Sequence, residues 1–236
     1  MKKVAFVTGA NKGIGFEIVK QLGEKGWTVL LGARHQERGE AAVSELKSQG
    51  LDVRFIEIDL SDLESIAKAA ETVKESYSGL TLLINNAGMP GSFSSSFTVT
   101  KEGDLRNAFE VNFFGTFRLN QHLFPLIKNN EGTIINVSTD MASLNHMQSF
   151  EFAPNAFDYN ASKTANNAMT VSMALELKDS KAQVFAVTPG FTTTDLNGNA
   201  EGGKSKQEAA SIIVGYAVDG KRHNGEFLNE NGRFPW

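Results

Sequence analysis

Tyr159 and Lys163, in the run Tyr159-Asn160-Ala161-Ser162-Lys163, have types and spacing that suggest chemistry. Four apart on a helix, they share one face with about 5–6 Å between their Cβ atoms. A phenol with a reference pKa of about 10 is a poor acid at neutral pH. An ammonium beside it favours the phenolate and lowers that pKa, so the pair is expected to exchange a proton with a substrate oxygen. The spacing is not decisive alone: with 3 Tyr and 16 Lys in 236 residues, it arises by chance with odds of about one in five. The bland alternative is an exposed helix on which the two side chains never meet.

A second constellation is Thr8-Gly9-Ala10-Asn11-Lys12-Gly13-Ile14-Gly15, which follows an apolar run and opens a helical pattern. Glycines permit a tight turn and close backbone approach, and a helix N-terminus offers unpaired N–H groups to a pyrophosphate. The spacing Gly-x-x-x-Gly-x-Gly differs from the commoner Gly-x-Gly-x-x-Gly. Its place between strand and helix points to a dinucleotide site, against the alternative of an ordinary tight turn. NAD sites usually carry an acid near the end of the second strand, about 20 residues on. Here that strand ends Leu31-Gly32-Ala33-Arg34, with no acid before Glu37. A carboxylate would repel a 2′-phosphate, whereas Arg34 can fork onto one, with Lys12 as a second positive charge. The expected cofactor is NADPH; otherwise Arg34 is a solvated residue at a helix start.

Elements must bring these groups together. Val4–Thr8, Thr28–Ala33, Val53–Glu57, Leu80–Asn85, Thr133–Val137 and Val184–Thr188 read as buried parallel strands, with a last short strand near Glu226–Leu228. Helical patterns lie between them at about 14–25, 36–49, 61–76, 101–128, 159–179 and 205–217. Such alternation implies right-handed crossovers and helices on both faces of one sheet. Two irregular segments, Asp140–Asp158 and Phe191–Lys204, follow strands, and so lie at the carboxyl edge where open α/β sheets bind ligands.

Composition narrows the classes. A length of 236 suits one large α/β domain. Zero cysteines exclude disulfides and thiol chemistry, and four scattered His argue against a zinc site, so no metal is expected. Net charge −4 with dispersed basic residues argues against nucleic acid as the main partner. Lys2-Lys3 before Val4-Ala5-Phe6-Val7 mimics a signal peptide, but the apolar run is too short. The uncharged stretch Thr81–Thr100 is too rich in Ser, Asn and Gly to span a membrane. A soluble cytoplasmic protein is the expectation.

With the turn, the Tyr/Lys pair and Asn85-Asn86-Ala87-Gly88 in register, the chain resembles the short-chain dehydrogenase/reductase family along essentially its whole length. It looks most similar to the carbonyl-reductase-like NADPH branch, through Phe16-Glu17, Ala33-Arg34, Val111-Asn112-Phe113-Phe114-Gly115-Thr116, Pro189-Gly190 and Trp236. The resemblance implies a single-domain Rossmann fold: a doubly wound, mostly parallel sheet of about seven strands. Its cofactor half would span about 1–130, and its catalytic and substrate-loop half about 131–236. Gly9, Asn11, Lys12, Gly13, Ile14 and Gly15 would hold the phosphates. Asp59-Leu60 would contact adenine, and Asn86-Ala87-Gly88 would support the adenosine side; the bland reading is turn structure, with Asp59 also a candidate helix N-cap region residue. Pro189-Gly190 would bend the chain beside the nicotinamide, with Thr192 and Thr194 on its carboxamide. Asn112 would hold a helix distortion and a water chain leading to Lys163, unless it is a locally satisfied polar residue. Relatives are often dimers or tetramers, so a homo-oligomer is expected, with a monomer possible.

The chain departs from the family twice. The usual catalytic serine falls on the second hydroxyl of Ile135-Asn136-Val137-Ser138-Thr139, which is Thr139. Neighbours near a strand end point oppositely, so one of the two faces the carbonyl; Thr139 is the expectation and Ser138 the fallback. The 20 residues from Thr139 to Tyr159 exceed the family's common spacing. The extra segment carries Met147, Phe150, Phe152, Pro154 and Phe157, which could form an apolar wall at the site mouth or merely anchor a loop. Seventeen Phe, among them Phe93, Phe150, Phe152, Phe157 and Phe191 in or near the edge loops, hint at an apolar or aromatic carbonyl substrate. The implied reaction is hydride transfer to a ketone or aldehyde. Tyr159 would donate the proton, Thr139 would bond the same oxygen, and Lys163 would lower the tyrosine pKa and hold the nicotinamide ribose. Other chemistry on the fold, such as epimerisation or dehydration, and a non-catalytic NADPH sensor remain as rivals.

Overall fold

The computed structural model describes residues 3–92, 96–149 and 156–236. Phe93, Phe150, Phe152 and Pro154 lie outside the described residues. Strands and helices alternate: β1 (Val4–Val7), α1 (Gly13–Glu24), β2 (Thr28–Ala33), α2 (Gln36–Ser48), β3 (Val53–Glu57), α3 (Leu63–Ser76) and β4 (Leu80–Asn85). Then follow α4 (Glu102–Phe109), α5 (Thr116–Asn129), β5 (Thr133–Val137), α6 (Leu144–Met147), α7 (Phe157–Glu176) and β6 (Gln183–Val187). The last elements are α8 (Lys206–Val218), β7 (Phe227–Asn229) and β8 (Gly232–Arg233).

Among the described residues eight strands form one sheet, in the order β3-β2-β1-β4-β5-β6-β7-β8. The first seven run parallel, and β8 pairs antiparallel with β7. This is the expected mostly parallel sheet of about seven strands, extended by the two-residue β8, which is too short to leave an alternation pattern. The chain order reverses between β1 and β4, which opens a crevice at their carboxyl ends.

Successive strand residues face opposite sides, and both sides are apolar. Val7, Leu31, Ile84, Ile135 and Phe185 pack with Ile18, Leu22 and Leu46 of α1 and α2 and Ile213 of α8. Their neighbours Phe6, Leu30, Leu83, Ile134 and Val184 pack with Ile66 and Val73 of α3 and Leu119, Leu123 and Ile127 of α5. This two-sided burial is why the strands read as nearly continuous apolar runs. Asp62 caps α3 by accepting from Glu64 N and Ser65 N at 2.9 and 3.3 Å. Ser205 and Glu208 cap α8 reciprocally: Glu208 N donates to Ser205 Oγ at 3.1 Å, and Ser205 N to Glu208 Oε2 at 2.8 Å.

The single helix expected over 101–128 is broken. A π-helical segment, Glu110–Gly115, separates α4 from α5. A Cβ at Gly115 would lie 2.1 Å from Leu60 O, so this glycine lets the widened turn press on the end of the β3–α3 connection. The segment Asp140–Asp158 holds α6 and a short 3-10 turn, Asp140–Ala142, and a second such turn spans Asp195–Asn197. Among the described residues no helix is long and apolar enough to cross a membrane.

Candidate active site

The carboxyl ends of β1 and β4 are tied together beneath the Gly-rich turn. Asn86 donates through Nδ2 to Thr8 O and Gly9 O at 2.9 and 3.1 Å, while Asn86 N and Ala87 N both donate to Thr8 Oγ1 at 3.1 Å. Gly9 has φ +63, and a Cβ there would lie 2.6 Å from Ala87 Cα. A Cβ at Gly15 would meet Asn86 Nδ2 at 2.5 Å, so both glycines are dictated by the close approach of the two strand ends. Gly13, at φ +65, has no heavy atom within 4 Å of where its Cβ would be. Lys12, the residue before α1, makes no side-chain capping bond, and the first turn of α1 holds no acid. The N–H groups of Gly13, Ile14 and Gly15 thus stand at an uncapped helix start, a fit for a dinucleotide pyrophosphate.

Around this turn lie the groups expected for the ribose and adenine. Arg34 is exposed just beyond β2, with Nε 3.1 Å from His35 Nε2. Asp59 accepts from Ser61 N at 2.9 Å and Ser61 Oγ at 2.7 Å. Burial opposes its ionisation, but those bonds and the Arg34 charge hold the carboxyl below its ordinary value. Asp62 rather than Asp59 caps α3, and Leu60 is buried. Lys12 Nζ reaches Asp195 Oδ2 at 2.9 Å, linking the Gly-rich turn to the segment after β6. That contact, a hydrogen bond and an attraction at once, keeps the Asp195 carboxyl below its ordinary value.

Tyr159 and Lys163 are both buried on α7. Lys163 Nζ donates to Val137 O, at the end of β5, at 2.9 Å. A Cβ on Gly88 would lie 3.3 Å from Asn112 Oδ1 and 3.5 Å from Lys163 Nζ, which brings the ends of β4, the π segment and α7 to one point. Asn112 is fully buried in the π segment, where its side chain receives Met89 N at 2.8 Å and donates to Met89 O and Ser162 Oγ at 3.0 Å each. Its own carbonyl accepts from Asn166 Nδ2 at 3.0 Å. The side chain, not only the helix distortion, therefore clasps the loop after β4.

The direction expected for the tyrosine is overturned. Burial alone pushes the Tyr159 phenol up to about 12, and burial pushes Lys163 down to about 8. Adjacency on the helix would favour the phenolate, but burial disfavours the charged form of each group. The phenol holds its proton tightly.

Ser138 and Thr139, just past β5, have different surroundings. Ser138 is buried and donates to Asn167 Oδ1 at 2.7 Å. Thr139 is half-buried, and its Oγ1 accepts a long bond, 3.3 Å, from Met141 N, which leaves its own proton free to donate. At the end of β6, Thr188 Oγ1 donates to Asp140 Oδ1 at 2.6 Å and accepts from Gly190 N at 3.1 Å, fixing the Pro189-Gly190 bend. Gly190 has φ +75. Thr192 and Thr194 are buried; Thr192 O accepts from Asn197 Nδ2 at 2.8 Å, and Thr194 N donates to Asn197 Oδ1 at 3.1 Å. Phe191, the residue before Thr192, is 51% exposed.

Residues 3–204 match the short chain dehydrogenase family. The chain belongs to that family. It is an oxidoreductase fold member with relatives named as reductases. It is 34% identical over 229 residues to the short-chain dehydrogenase anuI of Penicillium roqueforti, covering 93% of this chain and 90% of that protein. It is 30% identical to mouse carbonyl reductase [NADPH] 1, covering 100% and 99% of the two chains. The NADPH-bound carbonyl reductase from chicken fatty liver superposes with a TM-score of 0.88 at 25% identity, covering 100% and 99%.

Three residues that hold this short-chain dehydrogenase site together carried no expectation from sequence: Asp158, Ser162 and Asn166. Each is buried on α7 among Asn160, Asn167 and Thr170. The available signal was a polar stripe, Asp158-Ser162-Asn166-Thr170, repeating every four residues on a helix that must also pack against the sheet.

Proposed function

We propose that the protein is an NADPH-dependent reductase of ketones or aldehydes, apolar or aromatic ones above all. The observation that carries this reading is the buried Tyr159 beside Lys163 at the carboxyl ends of β4 and β5, with Lys163 Nζ anchored on Val137 O. Gly9, Asn11, Lys12, Gly13, Ile14 and Gly15 would hold the pyrophosphate, and Arg34 with Lys12 the 2′-phosphate. Asp59, Leu60, Asn86, Ala87 and Gly88 would flank the adenosine half, and Pro189, Gly190, Thr192 and Thr194 the nicotinamide. NADPH over NADH is supported by Arg34 standing where an acid would repel a 2′-phosphate, and by the NADPH named for the mouse and chicken relatives.

The chemistry that a reduced nicotinamide would supply in this site is hydride for a carbonyl carbon. Tyr159 gives its proton to the oxygen as charge develops; a phenol held at about 12 keeps that proton until a stronger base, the alkoxide, forms. Thr139 donates a hydrogen bond to the same oxygen. Lys163, still largely protonated at neutral pH with a pKa of about 8, would hold the nicotinamide ribose and steady the phenolate left behind. Asn112 fixes the loop after β4 through Met89. Phe191 offers an apolar contact to the substrate. A cytoplasmic homo-oligomer, dimer or tetramer, is the setting we infer. The stacked Phe113 and Phe117 with Phe114, 41% exposed, support a self-association face.

The test is an NADPH-oxidation screen across ketones, aldehydes, diketones and quinones, run beside Tyr159→Phe and Arg34→Asp. Turnover that Tyr159→Phe cuts by about 10²-fold or more, with cofactor binding intact, is the expected result. Arg34→Asp should swing preference towards NADH. Retained turnover in Tyr159→Phe, or an unchanged cofactor ratio in Arg34→Asp, would sink the corresponding assignment.

A further inference from the structure

Asp158 is a fully buried carboxylate outside the proton-transfer set. It occupies the first turn of α7, whose preceding residue, Ala156, supplies no side-chain cap. Its Oδ1 accepts from Tyr159 N at 2.8 Å, and its Oδ2 accepts from Ser92 N at 2.7 Å and Ser92 Oγ at 3.0 Å. Gly91 lies against it so closely, at φ +67, that a Cβ there would sit 2.7 Å from the carboxylate carbon and both oxygens. The carboxylate therefore joins the loop after β4 to the backbone of the proposed proton donor.

Further bonds close a circuit. Asn112 grips Met89 through both its N–H and its carbonyl, and donates to Ser162 Oγ. Ser162 Oγ in turn donates to Tyr159 O at 2.8 Å. Tyr159 is thus held at its N–H by Asp158 and at its carbonyl by Ser162, and both ties lead back to the segment Gly88–Ser92. That segment also carries Gly88, against which Lys163 Nζ stands. We propose that Asp158 is a positioning residue: by fastening Gly91-Ser92 to the start of α7, it fixes the Tyr159 phenol relative to Lys163 and the loop after β4.

The inference rests on Tyr159 being the proton donor, and a misplacement of about 1 Å at such a group can cost 10²-fold in rate. Asp158→Asn keeps the shape but sets an amide donor against donors. In the full-length protein it should lower kcat by about 10–100-fold, while the KM and Kd for NADPH change much less. Amide hydrogen exchange should speed up at Ser92 and Tyr159 and stay unchanged at Phe6 and Leu83 in the sheet. Ser92→Ala, which removes the Ser92 Oγ bond to Asp158 and keeps the one from Ser92 N, should fold without difficulty and show a smaller change of the same kind. The double variant should resemble Asp158→Asn alone, because both substitutions open one network. A kcat for Asp158→Asn within twofold of the parent, or faster exchange spread evenly over the sheet, overturns the proposal. Should the parent reduce no carbonyl, the proton-donor reading fails by itself. Exchange then decides about Asp158, and unchanged protection at Ser92 and Tyr159 in either variant rejects it.

Discussion

Lys163 and His223 are both cationic groups taken out of water, and the protein treats them in opposite ways. Lys163 is 4% exposed at the carboxyl end of β5, bonded to Val137 O, with no carboxylate beside it among the described residues. His223 is 8% exposed near the opposite end of the sheet, where its own N–H donates to Gln183 Oε1 at the start of β6. Its ring nitrogens lie 2.8 Å from Glu226 Oε2 and 2.9 Å from Asp219 Oδ2. Burial pushes both groups towards neutrality. At Lys163 nothing resists, and the amine falls to about 8; at His223 the bonds to Asp219 and Glu226 outweigh burial and raise the pKa. A paired buried charge fastens elements together, whereas an unpaired one costs stability and marks a place where chemistry needs it.

The sharpest way to break this contrast is Lys163→Met. Loss of the ammonium should cut turnover by roughly 10²–10⁴-fold. The stability effect has a definite sign. The folded pKa is about 8 against 10.5 unfolded, so between those values the unfolded chain binds a proton that the folded chain lacks. The lysine's contribution to stability is thus worst below about 8 and improves as pH rises to 10.5. The methionine variant's stability relative to the parent should decline across that window. Urea midpoints read this directly. A flat difference, or turnover within tenfold of the parent, would show that Lys163 is an ordinary buried residue.

The two hydroxyls after β5 repeat the contrast between a paired and an unpaired group on a smaller scale. Thr139→Ala should lower kcat by about 10²-fold, the typical cost of one donor to an oxyanion, with little loss of stability. Ser138→Ala strands Asn167 Oδ1 without its 2.7 Å donor, and should cost about 1–3 kcal/mol of stability with little loss of rate. Exchanged outcomes would move the donor role to Ser138.

Much of this arrangement was legible in the sequence, because strands buried on both faces and a Gly-rich turn leave local patterns. Thr28–Ala33, Val53–Glu57, Leu80–Asn85 and Thr133–Val137 form with the expected ends. The π segment left no mark in the periodicity, since Glu110–Gly115 has helical composition; only the resemblance pointed to a distortion at Asn112, and the tight approach of Gly115 to Leu60 is a long-range contact. Helical spacing put Tyr159 and Lys163 side by side, but the dryness that sets their pKa values comes from the surrounding fold. Asp158 closes an irregular segment just before the helix expected over 159–179, and its partner Ser92 is 66 residues away. Local spacing reports which groups can meet; desolvation and long-range pairing are properties of the fold.

His223→Gln is the mildest test, and it addresses the paired side of the contrast. Glutamine can still bond one carboxylate but cannot carry charge. His223 is raised above its ordinary 6.5, so its contribution is fully present below about 6.5 and is lost as pH rises through the folded value. Asp219 and Glu226 are held below their ordinary 3.8 and 4.5 despite burial, so their contributions are present above those values and fade as pH falls through the folded ones. The cluster should therefore stabilise most between about 4.5 and 6.5. In that window the variant should lose about 1–3 kcal/mol, as for hydrogen bonds to charged groups, and the loss should shrink on the alkaline side. Turnover should stay within twofold, since Arg233 still holds Glu226 and the cluster lies away from the carboxyl edge. Denaturant midpoints measured from acid to alkaline pH give the profile. A loss that grows with rising pH would mean that His223 is buried neutral, and that the two buried cations are treated alike after all.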